Sequence, residues 1–192
     1  MRSTDIHLMR AVLITVLIAA AACGSAGTYY KDQKMDFGSV MTVAVMPLSN
    51  LSRDPMAADR VRDAFMTQLL ATYGVYVVPP GEVARAIGVT GIGNPTAPSK
   101  EEIIKVGSQL KVDGVITGVV REYGEVRSGS AGANVISLSM QMTEVQAGKV
   151  VWSASTTEGG IGFLERLFGG GGEPLDDVTE KAVKNVINKF YK

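Results

Sequence analysis

The chain has 192 residues, 46% of them hydrophobic and 20% charged, with 19 Lys and Arg against 19 Asp and Glu. Those are globular proportions and argue against bulk disorder. A formal net charge of zero and 6% aromatic residues argue against a nucleic-acid binder, which needs cationic surface for phosphates and rings for bases.

The first element is an address. Ala11 to Ala22 is an apolar run of twelve residues broken only by Thr15, preceded by Arg2 and Arg10. A membrane-spanning helix needs about 20 apolar residues, whereas a secretory h-region needs about 7–15 behind a positive n-region. Met1 and Met9 are alternative starts. Ala20, Ala21 and Ala22 stand directly before Cys23, the one cysteine of the chain. This resembles the lipobox of bacterial lipoproteins, with Ala20 where that family usually has Leu. The resemblance implies cleavage after Ala22, a diacylglyceryl thioether on Cys23 and an acylated new amino terminus. Gly24 in place of Asp implies sorting to the periplasmic face of the outer membrane. The alternative is an ordinary signal peptide with an incidental cysteine. The expected division is therefore a signal peptide at 1–22, a lipidated tether at 23–39 and a periplasmic domain at 40–192.

Cleavage before Cys23 removes Arg2, Asp5, Arg10 and His7, the one histidine. The mature chain then carries a net charge of −1, no histidine and no free thiol. That excludes Ser-His-Asp and Cys-His nucleophilic catalysis and histidine-ligated metals, leaving only carboxylate or lysine chemistry. No disulfide can form within the chain.

Gly24 to Ser39 has no period and reads as tether; Tyr29 and Tyr30 fit either the domain or the lipid interface. Val40 to Leu48 is a continuous β-branched run, the pattern of a strand buried on both faces, and Ser49 to Asp54 is turn-like. Asp54 can cap a helix with Pro55 at its first position, running to about Tyr73 with Ala58, Val61, Phe65 and Leu69 on one stripe. Val75 to Val78 is a short strand, Glu82 to Ile87 a short helix, and Gly88 to Pro98 a loop. Ser99 opens a capping box with Glu102, followed by Ile103, Val106 and Leu110 at helical spacing. Val112 to Val120 is a strand continuing toward Val126, Arg127 to Ala133 a turn or short loop, and Ile136 to Thr143 a strand with strict apolar-polar alternation. A tight turn at Gln146 to Lys149 leads into Val150 to Ser155, with Trp152 expected in the core beside Val150 and Ala154. A last helix starts near Pro174, with Leu175, Val178, Ala182, Val186 and Phe190 as its stripe. The order β-α-β-α-α-β-β-β-α predicts an α/β (α+β) fold, a mixed sheet with helices packed on it and an antiparallel meander in the second half.

Most candidate chemistry reads as structure. The glycines at 88, 91 and 93 lack the spacing of a phosphate loop. Glu101/Glu102 and Asp176/Asp177 fall in first helical turns, where they favour the helix dipole. Met140 and Met142 share a buried strand face and read as core filling. No cofactor or metal is expected. The least bland feature is Phe163-Leu164-Glu165-Arg166-Leu167-Phe168 between glycine runs. It reads either as a plug on its own domain or, through Phe163, Leu164, Leu167 and Phe168, as a contact with a partner, another subunit or lipid.

Val43-Ala-Val-Met-Pro47-Leu-Ser-Asn50-Leu-Ser52, Val112-Asp113-Gly114-Val-Ile-Thr-Gly118 and Glu144-Val-Gln-Ala-Gly148-Lys-Val-Val-Trp152-Ser153 resemble, in order, three motifs of one superfamily of envelope lipoproteins. It includes curli-secretion-channel (CsgG-type), LpoB-type and PelC-type lipoproteins and the amino-terminal domain of TolB. The resemblance implies a periplasmic domain without catalytic residues that binds an envelope protein complex, itself, or both, and no small-molecule substrate or nucleic acid. A scaffold, assembly factor or activator is favoured. The alternative is a secretion-channel subunit forming an oligomeric ring, but neither Arg127 to Ala133 nor Gly159 to Gly172 offers the two strands of about 9–11 residues that a membrane hairpin requires.

Overall fold

The computed structural model of the chain describes residues 27–129, 131–161 and 172–191. Its strands are β1 (Tyr29–Lys31), β2 (Thr42–Val45), β3 (Ser49–Asn50), β4 (Tyr76–Val77), β5 (Gly114–Ser128), β6 (Ala131–Glu144) and β7 (Lys149–Gly159). The helices among the described residues are α1 (Ala57–Tyr73), α2 (Pro80–Thr90), α3 (Lys100–Leu110) and α4 (Leu175–Tyr191). One mixed sheet runs β1-β7-β6-β5-β2-β4, with β3 also beside β5. β2 is parallel to β4 and β5, while β5, β6 and β7 form the antiparallel meander expected from the sequence.

The helices divide between the two faces for a topological reason. The chain passes from β2 through α1 to β4 in one direction, then from β4 through α2 and α3 back across β2 to β5. Right-handed crossovers made in opposite directions place their helices on opposite faces. β2 shows the result within four residues. Val43 and Val45 enter the core shared with α1 and α4, and Ala44 and Met46 enter the smaller core under α2 and α3. The predicted doubly buried strand is thus observed, and Arg62 of α1 adds hydrogen bonds from its guanidinium to the Val45 carbonyl.

The larger core continues through Ile116, Val120, Ile136, Leu138, Met140, Met142 and Trp152 to Val178, Ala182, Val183 and Val186 of α4. Met140 and Met142 fill space that β5 leaves open. A Cβ on Gly118 would lie 2.2 Å from the Met140 sulfur and 2.7 Å from the Ser139 carbonyl oxygen, and one on Gly114 would lie 2.8 Å from the Met142 sulfur. Trp152 packs edge-on against Phe190, with ring centroids 5.3 Å apart. The opposite face of β6 and β7 carries Ser137, Ser139, Gln141, Ser153, Ser155 and Thr157, paired across the two strands. This is the polar side of the predicted alternation.

Several expectations need correction. Tyr29–Lys31, read as tether, pairs with β7 from Tyr29↔Ala154 to Lys31↔Trp152. The following 3-10 turn (Phe37–Ser39) sets Phe37 edge-on against Phe190 at 5.3 Å. An edge strand of three residues has no periodicity to read, so its pairing is invisible in sequence. Ser49–Asn50 is a strand, not a turn, because Leu51 N and the two residues before it pair along β5. Asp54 does not cap α1 by the expected geometry. The helix starts at Ala57, and the Asp54 carboxylate accepts from the Met56 amide at 2.8 Å. α2 begins at Pro80, not Glu82, and runs to Thr90. Arg127 to Ala133 is largely strand, since Arg127 pairs with Gly132 and Ser128 with Ala131. Val150 is on the opposite face from Trp152, because a bulge opposite Met142 and Thr143 inserts buried Val151 between them.

Candidate interaction surface

Five residues nominated from sequence, Cys23, Phe163, Leu164, Leu167 and Phe168, lie outside the described residues. The described chain on either side of 162–171 is fixed to one place. Gly160 N donates to the Asn134 carbonyl at 2.8 Å, and Gly172 N donates to the Gly132 carbonyl at 3.3 Å. Asn134 Nδ2 donates to the Glu173 carbonyl at 2.8 Å. The described residues flanking 162–171, Gly160 and Gly172, are therefore both held at residues 132–134 of β6, beside the tip of the β5–β6 hairpin.

On the β5 side of the same hairpin lies a groove of about 810 Å³ between the segment 51–54 and residues 121–127. Its loop wall is held by its own side chains. Asn50 Oδ1 accepts from Ser52 N at 3.0 Å and from Ser52 Oγ at 2.8 Å, while Asn50 Nδ2 donates to the Asp54 carbonyl at 2.8 Å. The Asn and Ser of the first motif thus shape the turn into α1, and they put Leu51 (67% exposed) and Arg53 on the groove rim. Tyr123 is buried at the groove floor. A hydrogen bond with Tyr123, reinforced by the Asp54 carboxylate 3.6 Å away, raises the Arg60 guanidinium further above its already high value. Arg127 pairs with Glu125 at 2.9 Å. Arginine beside exposed aliphatic surface suits protein recognition, because a planar guanidinium binds by several hydrogen bonds while its stem packs apolar groups.

Sequence reasoning placed Leu51 and Ser52 in a motif and Asp54 at a helix start, but nominated none of these groove residues as a site. Leu51 and Arg53 meet Arg121 to Arg127 only because β3 pairs with β5, and a two-residue strand leaves no signal of that pairing.

The acidic residues do structural work. Ser99 accepts from the Glu102 amide and its own amide donates to the Glu102 carboxylate at 2.7 Å, completing the predicted capping box. The Ser99 amide holds the Glu102 carboxyl below the usual range. Asp113, from the second motif, joins β5 to β2: its Oδ2 accepts from Met41 N at 2.9 Å, Thr42 N at 2.8 Å and Thr42 Oγ1 at 2.9 Å. Partial burial works to raise this carboxyl, but the three donors outweigh it and hold it low. Among the described residues, no three of His, Cys, Asp or Glu gather where they could hold a metal ion, and no helix is long and apolar enough to cross a membrane.

Residues 18–157 match the family model described as peptidoglycan-synthase activator LpoB. No curated protein matches the chain in sequence. Among solved structures, the chain is similar to the PelC dodecamer from Paraburkholderia phytofirmans, at 17% identity and TM-score 0.58 over 86% of this chain and 98% of that one. It is similar to lipoprotein GNA1162 from Neisseria meningitidis, at 21% identity and TM-score 0.56 over 78% of this chain and 97% of that one. It is also similar to the LpoB C-terminal domain from Salmonella enterica, at 14% identity and TM-score 0.50 over 66% of this chain and 86% of that one. At such identities the likeness is one of fold.

Proposed function

The chain belongs to the LpoB family of peptidoglycan-synthase activators, and on that premise we propose that it is a non-catalytic activator or scaffold of an envelope complex of the cell-wall-synthesis class. The family match over residues 18–157 carries this reading. An activator without chemistry of its own works by binding the active state of its target more tightly than the inactive one; a tenfold shift needs about 1.4 kcal/mol of differential affinity. Contacts of modest size supply that much.

In this reading Cys23 carries the lipid that holds the protein at the periplasmic face of the outer membrane, and Gly24 permits that sorting. Phe163, Leu164, Leu167 and Phe168 form the apolar partner contact. The partner is a protein of the envelope complex, another copy of this chain, or both.

The test is glycan-strand synthesis by a membrane-embedded peptidoglycan synthase of the same organism, with and without the mature protein. The expected result is stimulation. Replacing Phe163, Leu164, Leu167 and Phe168 together by Ser is expected to reduce that stimulation by about fivefold or more, as loss of a central apolar contact does, with an unchanged thermal midpoint. Stimulation that survives the replacement removes the contact from this segment. Absence of stimulation, of capture of the synthase and of self-association removes the activator role.

A further inference from the structure

The anchor and the fold lie closer together than the sequence suggested. β7 holds the chain from its first described residues onward. Ser155 N donates to the Thr28 carbonyl at 2.9 Å, the β1 register follows, and Asp32 N donates to the Val151 carbonyl at 2.8 Å. An ion pair between Lys149 and Asp32 closes the far end of this short strand. Gly27 is already confined: a Cβ there would lie 2.0 Å from the Ser155 carbonyl oxygen and 2.3 Å from Lys189 Nζ. Only Gly24, Ser25 and Ala26 stand between Cys23 and this fixed point. Four Cα steps, fully extended, reach about 14 Å at most.

We propose that the β1 edge of the sheet is a bilayer-contact surface, pressed against the headgroup layer by this short leash; the proposal rests on the reading of Cys23 as the lipid anchor. Its occupant is the phospholipid surface itself. Reach is the first argument, since a body fixed within about 14 Å of its acyl chains cannot move β1 away from the membrane. Chemistry is the second. Tyr29 and Tyr30 are 52% and 49% exposed on this edge, and tyrosine is enriched where a ring meets the acyl boundary while its hydroxyl stays in the hydrated headgroups. The charges around them nearly balance. Lys149 pairs with Asp32, Lys31 lies over the Phe37 ring at 4.6 Å, and Lys34 and Asp36 follow. The contact therefore needs no anionic lipid. The opposite edge, β4, lies five strand spacings away, about 24 Å, and carries exposed Tyr76 (54%) beside Met41 (60%). It faces away from the bilayer.

The lipidated protein makes a clean test, because acylated Cys23 leaves the mature chain with no free thiol. Tyr30→Cys and, separately, Tyr76→Cys are labelled with a fluorophore, and each protein is reconstituted in phosphatidylcholine vesicles with and without doxyl-labelled lipid. Quenching at position 30 is expected to exceed that at position 76 by about threefold or more, as for an interfacial against an aqueous site. Tyr29→Cys serves as a second position should Tyr30→Cys fail to fold by circular dichroism. Inserting about 20 Gly and Ser residues after Ser25, a flexible coil, is expected to reduce quenching at position 30 at least by half. Equal quenching at the two positions, or quenching undiminished by the insertion, overturns the proposal. Mass spectrometry of the same preparations separates the two readings. An unmodified Cys23 defeats the anchor, whereas an acylated Cys23 with equal quenching defeats only the bilayer contact.

Discussion

Asp113 shows how one residue sets a strand pairing. Its carboxylate receives two backbone amides and a hydroxyl from residues 41 and 42, so it fixes the start of β2 against the start of β5 across a sequence separation of 71 residues. A carboxyl whose folded value lies below its unfolded one contributes stability that is fully present above the unfolded value and is lost as pH falls through the folded one. Asp113→Asn keeps the size but accepts more weakly. It is expected to cost about 1 kcal/mol at neutral pH, a charged hydrogen-bond network discounted for its exposure. It should also flatten the loss of stability below about pH 4. Urea unfolding at pH 7 and at successively lower pH measures both; an unchanged pH profile removes Asp113 from the acid-sensitive set. In sequence this residue was legible as part of a motif, but its role was not, because its three donors sit some 71 positions away.

At the scale of elements, the parts with a period were legible and the parts without one were not. α1, α4, the alternation of β6 and the Ser99–Glu102 box each carry their signal within a few residues, and each was observed. β1 and β3 have three and two residues, too few for any alternation. The hairpin tip misled because Gly and Ser dominate 128–132, and composition suggests a loop where the partner strand in fact extends the ladder. That tip lengthens β5 and β6 beyond the expectation used against a channel, yet it offers no lipid face. Glu122 stands on one side and Glu125 and Arg127 on the other, where a spanning strand needs an unbroken apolar row. The groove was unreadable for a related reason: its two walls come from the segment 51–54, placed by the pairing of β3 with β5, and from β5 itself, far apart in the chain. Gly118 gives the element-scale prediction. Any side chain there meets the Met140 sulfur, which can swing aside, and the Ser139 carbonyl oxygen, which cannot. Gly118→Ala is expected to destabilise by about 1–3 kcal/mol, as overpacking does. Adding Met140→Ala should give a total cost below the sum of the two single changes. Strict additivity in denaturant midpoints would show that the two sites do not share this space.

At the scale of the whole molecule, the proposed reading divides attachment from recognition. The twelve-residue run before Cys23, apolar but for Thr15, is too short to span a bilayer, and no described helix is long and apolar enough to do so. On the anchor reading, membrane attachment then rests on acyl chains, each buried CH₂ contributing about 0.8 kcal/mol, so that several chains on one residue hold stably. Cys23→Ser removes the thioether and blocks processing at that site. The expected outcome is a protein released to the soluble fraction on cell lysis, its membrane-bound share falling by about tenfold or more, with its fold unchanged because Cys23 precedes every described residue. The exposed Tyr29 and Tyr30 rings alone cannot offset that loss: two half-exposed side chains bury a few kcal/mol at most, less than one long acyl chain. If the Cys23→Ser protein still sediments wholly with membranes, attachment must come from the uncleaved leader or from a protein partner. The short leash would then lose its fixed end, and the orientation of the sheet against the bilayer would have to be set by whatever that partner holds.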